Sequence, residues 1–157
     1  MSADAKSETA FARLLAIVTE LREKCPWDRE QKLADTPRHL IEEAYEVADA
    51  VARHEQPAAI AEELGDVIAQ CLYLGVILAE QSEFKIAEVL DDAAEKLVRR
   101  HPHVYAGTRV DSVEQVLENW ETIKQQERAQ KTFAPEDSNA PKSLRHVGRG
   151  LPSMTRA

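Results

Sequence analysis

Two acidic clusters offer the clearest chemistry in the 157-residue chain: Glu42-Glu43-Ala44-Tyr45-Glu46 and Glu62-Glu63-Leu64-Gly65-Asp66. Each holds a Glu followed three residues later by another acid, Glu43 with Glu46 and Glu63 with Asp66. On an α-helix, residues three apart share one edge of the cylinder, so each pair would form a two-carboxylate edge. Neither cluster contains a basic residue to neutralise it. Four converging carboxylates would repel one another, and an oxygen-only ligand set suits a hard divalent cation, Mg²⁺ or Mn²⁺, whereas zinc would bring His or Cys at ligand spacing. The same spacing also describes the solvated faces of two amphipathic helices, and spacing alone leaves both readings open.

The choice depends on the elements that carry the acids. Leu40, Ala44, Val47, Ala48 and Val51 recur at helical spacing after Thr36-Pro37, an N-cap followed by proline at the first helical position. His54-Glu55-Gln56-Pro57 interrupts the pattern, and a second helix is expected from about Ala58 to Gln81. A connection this short makes antiparallel neighbours. Glu46 and Asp66 lie about equally far from the turn, which places the acidic pairs at similar height. Gly65, costly inside a helix, is read as a sign of close backbone approach. The helix from Ala58 is apolar around most of its circumference, from Ile60 through Leu78, which predicts burial on several sides and a subunit interface.

Three further helices are expected. Phe11, Leu14, Leu15, Val18 and Leu21 place one from about Glu8 to Lys24, ended by Cys25-Pro26-Trp27-Asp28. Ile86, Val89, Leu90, Ala93, Leu97 and Val98 place another, with Ser82 as its cap and Arg99-Arg100-His101-Pro102 at its end. Lys96 and Arg100 share a face there, either complementing the helix dipole or clamping phosphate. Ser112 and Gln115 form a capping box for the last helix, which carries Val113, Val116, Leu117, Trp120 and Ile123, with Lys124 at the same rim. Residues 101–110 are expected to be a loop, and Trp27 is expected either to cover a core edge or to wall a pocket.

Composition sets the outer bounds. Hydrophobic residues make up 43% and charged residues 31%, the profile of an all-α globular domain, and the net charge of −8 argues against nonspecific nucleic-acid or anionic-membrane binding. Two cysteines, Cys25 and Cys71, make neither a disulfide framework nor a metal knuckle, so a reducing cytoplasm is the expected setting. No apolar run approaches bilayer length. From about Lys131 the periodicity stops, so residues 1–130 are read as the domain and 131–157 as a flexible or partner-dependent tail.

Five segments, in order, carry a family likeness: Cys25-Pro26-Trp27-Asp28-Arg29-Glu30-Gln31, Leu40 to Val47, Glu62 to Asp66, Lys96 to Val104 with its Arg-Arg-His-Pro-His run, and Asn119-Trp120-Glu121-Thr122-Ile123-Lys124. Together they resemble the MazG nucleoside triphosphate pyrophosphohydrolases. The resemblance implies an all-α protein, in line with the periodicity, which gives a bundle of about five helices around an antiparallel acidic pair, oligomerising through the apolar third helix as a homodimer or larger. It implies Mg²⁺-dependent cleavage of a nucleoside triphosphate to monophosphate and pyrophosphate. Glu43, Glu46, Glu63 and Asp66 would then be metal ligands, and Trp27, Asp28, Lys96, Arg99, Arg100, Trp120 and Lys124 substrate contacts. Glu42 would orient or deprotonate the water, with Glu62 as a rival. Lys32-Leu33 stands where the family often has Thr-His, so specificity is open to dUTP, an oxidised deoxynucleotide or phosphoribosyl-ATP. The end at Pro152 to Ala157 resembles the middle of a longer family member. A noncatalytic helical interaction module is the alternative of a different class.

Overall fold

The protein was analysed as a computed structural model that describes residues 3–132, with side chains from 5 to 129. All regular structure among the described residues is helical: α1 (Ala3–Lys24), α2 (Pro26–Glu30), α3 (Thr36–Ala52), α4 (Pro57–Gln81), α5 (Ile86–Arg100), α6 (Pro102–Tyr105) and α7 (Val113–Thr132). The all-α expectation holds, with two one-turn helices added. Both begin at a proline, Pro26 and Pro102, in segments expected to be loops. Proline ends the preceding helix but, lacking an amide that the first turn leaves unused, it opens the next one readily. Residues 133–157, which make up nearly all of the expected tail, lie outside the described residues.

The chain divides into two compact units, 1–86 and 87 onward. In the first, α3 packs along α4, α1 packs against α4, and α2 folds back on α1. Val18 of α1, Ala50 of α3, and Leu72 and Ile77 of α4 are its buried apolar side chains. Arg53 to Gln56 connect α3 to α4, and His54 takes a positive φ of 56°, the left-handed conformation that reverses the chain. Gly75, not Gly65, is the close-approach glycine: a Cβ there would meet Ile86 Cγ1 at 3.0 Å, whereas one on Gly65 would meet nothing within 4 Å.

Local hydrogen bonding refines the expected boundaries. Ser82 closes α4, donating to the Leu78 carbonyl at 2.7 Å and accepting from the Phe84 amide at 3.3 Å, so it does not cap α5. Thr36 is already helical, and its hydroxyl donates back to the Leu33 carbonyl. The capping box before α7 forms, with the Gln115 amide donating to Ser112 Oγ at 3.3 Å and Gln115 Oε1 accepting from the Asp111 amide at 2.9 Å. Much apolar surface stays open, including Leu64 and Ile68 on α4, Ile17 and Leu21 on α1, and Val113 and Leu117 on α7. No described helix is long and apolar enough to cross a membrane.

Candidate functional site

The helical spacing of the acids and the tight turn at His54 bring the two clusters together. One carboxylate oxygen from each of Glu43, Glu63 and Asp66 lies within 4.8 Å of the others. Glu46 stands outside this trio, but its carboxyl pairs with that of Glu63. Burial, and then the charges of Glu46, Asp66 and Glu42, push the Glu43 carboxyl above its ordinary range, with His39 opposing. Glu63 is raised in the same way, by partial desolvation first and then by Glu46, through both its charge and a hydrogen bond. Like charges held this close favour a proton or a cation between them. The set is all oxygen and half open to solvent, which fits a hard divalent ion.

Glu42 points elsewhere on α3. Its carboxylate sits 3.4 Å from Arg38 Nε and 3.4 Å from His39 Nδ1. Glu62 is exposed.

Beside the carboxylates lies a pocket of about 240 Å³, lined by α2, α3 and α4. Trp27 forms one wall, exposed over 61% of its surface and edge-on to His39 with ring centroids 6.1 Å apart. Asp28 is buried at 6% exposure and accepts a hydrogen bond from the Tyr73 hydroxyl. Burial, reinforced by Asp28, pushes the Tyr73 phenol up to about 12. The α2 corner is held by Arg22, which donates to the Asp28 and Gln31 carbonyls and forms a two-bonded ion pair with Glu80 at 2.6 and 3.0 Å. Trp27 thus walls a pocket, one of the two fates its sequence context left open.

The second unit gathers most of the expected phosphate contacts around Trp120. The Arg100 guanidinium lies 5.4 Å from the Trp120 ring centroid, and His101 meets the same ring edge-on at 4.9 Å. Arg100 and Arg99 both bond Glu127, at 2.6 and 2.8 Å, and Arg100 in particular drives its carboxyl down to about 2. Lys124 pairs with Glu121 at 2.6 Å, while Lys96 is exposed and without a partner among the described residues. His101 Nδ1 lies 2.6 Å from the Leu97 carbonyl and caps α5, whereas His103 Nδ1 is buried and makes no hydrogen bond among the described residues.

Sequence reasoning missed His39, Gln70 and Glu127. Helical spacing held a signal for the first two, since His39 precedes Glu43 by four and Gln70 follows Asp66 by four. Glu127, on another helix 27 residues from Arg100, left none.

Residues 31–105 match the model of the MazG nucleotide pyrophosphohydrolase domain. The chain carries a MazG domain. The matched span takes in all six acids of the two clusters, along with Lys96, Arg99 and Arg100. The chain is similar to the nucleoside triphosphate pyrophosphohydrolase of Escherichia coli strain K12, 38% identical over 148 residues, covering 92% of this chain and 53% of that one. It is also similar to the nucleoside triphosphate pyrophosphohydrolase/pyrophosphatase MazG of Thermotoga maritima, 39% identical over 123 residues, covering 77% of this chain and 46% of that one. The chain therefore spans about half the length of these curated relatives. A solved structure of a mazG-related protein from Thermotoga maritima resembles it with a TM-score of 0.65 at 27% identity, covering 73% of this chain and 98% of that one.

Proposed function

We propose that this MazG domain hydrolyses nucleoside triphosphates to nucleoside monophosphate and pyrophosphate, aided by a divalent cation. The observation that carries the reading is the convergence of Glu43, Glu63 and Asp66 within 4.8 Å across α3 and α4. Bound by those three, Mg²⁺ or Mn²⁺ would supply positive charge against the phosphate oxygens and lower the pKa of a nearby water.

The chain's own residues supply the rest. Water attacks the α-phosphorus, the bond from that phosphorus to the bridging oxygen breaks, and pyrophosphate leaves with the electron pair. We assign the proton to Glu46, whose carboxyl interacts with that of Glu63. Glu42 can do so only after releasing Arg38 and His39. Arg100, Lys96 and Lys124 carry the charge suited to a leaving pyrophosphate, with Arg99 alongside, and no covalent nucleophile is needed. Leu64 and Ile68, open on α4, fit a homodimer in which a second copy covers this helix. The two free cysteines are in keeping with a cytoplasmic setting.

The test is a panel of ribo- and deoxyribonucleoside triphosphates, including dUTP and oxidised dGTP, with and without Mg²⁺. Pyrophosphate is expected as the product, and Asp66→Asn and Glu43→Gln should abolish it without loss of helicity. Release of orthophosphate alone, or full activity in both variants, refutes the proposal. The Mg²⁺-free arm should be silent.

A further inference from the structure

The geometry points to the pocket lined by Trp27, Gln31, Thr36, His39, Gln70 and Tyr73 as the seat of the substrate's nucleobase, with Gln70 reading the base's edge. This rests on the hydrolase reading above and adds the part of the substrate that the carboxylates do not address.

Position is the first argument. Glu43 faces Glu63 and Asp66, while one turn back on α3 and one turn forward on α4, His39 and Gln70 line the pocket together. On antiparallel helices those two shifts run in the same direction. The pocket is therefore the next station along the helix pair, displaced from the carboxylates by about 6 Å, four residues of helical rise. That offset is of the size a ribose bridges between an α-phosphate and its base.

Size and chemistry agree. At about 240 Å³ the pocket falls below the roughly 300 Å³ at which drug-sized ligand sites begin, so it takes one ring system and not a whole nucleotide. The buried carboxylate of Asp28 in its lining disfavours phosphate. Trp27 offers a large open aromatic surface for stacking, which tolerates any base.

Discrimination needs an uncommitted polar group, and most of the lining is already engaged. Tyr73 donates to Asp28, Thr36 donates to the Leu33 carbonyl, His39 faces Glu42, and Gln31 Nε2 leans at 3.4 Å on the Trp27 carbonyl. Gln70 is half-buried, and its carboxamide makes no hydrogen bond among the described residues. It presents a donor and an acceptor side by side, the complement of a base edge.

Two measurements on the full chain test this. In the first, saturation-transfer NMR with adenosine, guanosine, cytidine and uridine, without metal, reads base binding independently of catalysis. Wild type should bind at least one nucleoside, and Trp27→Ala should weaken that binding about tenfold or more. In the second, kcat/KM for the four ribonucleoside triphosphates is compared across variants. Gln70→Leu should compress the wild-type spread among bases to within about threefold, through KM, because an unmatched polar edge is what a hydrogen-bonding site rejects. Gln70→Glu, which offers only acceptors when ionised, should reorder the bases. A merely structural role would not alter that order. Wild type that binds no nucleoside overturns the pocket assignment. Equal hydrolysis of all four bases by wild type, or a Gln70→Leu profile that keeps wild-type ranking and KM, overturns the role of Gln70. Nucleoside binding that depends on Trp27 in a chain releasing no pyrophosphate upholds the pocket and refutes the hydrolase reading instead.

Discussion

Removing the carboxylate of Glu127 should free the two arginines beside Trp120, and the energy involved can be worked from their contacts. Arg100 and Arg99 bond its carboxylate at 2.6 and 2.8 Å, and its pKa falls from the ordinary 4.5 to about 2, the Arg100 hydrogen bond being the largest cause. Without solvent screening, the gap of about 2.5 corresponds to about 3.4 kcal/mol. Arg99 is 53% exposed, so solvent screening reduces this to about 1–2 kcal/mol. The group binds its proton less readily folded than unfolded. Its contribution is therefore fully present above pH 4.5 and is lost as pH falls toward 2. Glu127→Gln should lower unfolding stability by about 1–2 kcal/mol at pH 7 and by almost nothing near pH 2, as read by urea denaturation followed through tryptophan fluorescence. Molar salt should shrink the pH 7 difference. A difference at pH 7 below about 0.3 kcal/mol, or one of equal size at both pH values, refutes the account. The variant should also let Arg100 drift from the Trp120 ring, raising KM for triphosphates.

Other perturbations report on the first unit. In EDTA, the raised carboxyls of Glu43 and Glu63 make the folded chain bind protons more readily than the unfolded one, so stability should fall as pH rises through their folded values; Mg²⁺ should remove that decline, as thermal melts at stepped pH would show. Arg22→Met leaves the Asp28 and Gln31 carbonyls without their donor and Glu80 without its partner, and should cost about 2–3 kcal/mol by chemical denaturation. Ile77, fully buried at 0% exposure, should cost about 2–5 kcal/mol when replaced by alanine, measured in the same way.

The long helices and the approach of Glu43 to Glu63 and Asp66 were legible because both follow from local rules, apolar residues at helical spacing and a four-residue connection that makes neighbours run antiparallel; that Glu46 stands outside the trio was not. Three further features were not. Pro26 and Pro102 were read as ending helices, although each also starts a single turn that tertiary contacts complete. Gly65 was read as a point of close approach, but the neighbour that demands a missing Cβ is Ile86 against Gly75, a contact periodicity cannot assign. Gln70 carries no charge and belongs to no acidic pattern, so its place with Trp27 in one pocket lining emerges only when α2 folds back on α1 and α1 packs against α4. The same holds for Glu127, whose partners are set by the packing of α7 and not by spacing along it.

The turn at His54 also acts as a length gauge. A residue added to or removed from Arg53–Gln56 that is taken up as helix would rotate α4 by about 100° about its own axis, carrying Glu63, Asp66 and Gln70 off the side that faces α3. Insertions that the stretch between α6 and α7 could absorb should be incompatible with any work done by the carboxylates. Variation in the number of residues at this one bend is therefore a simple criterion for sorting related chains into those that keep the site and those that have given it up.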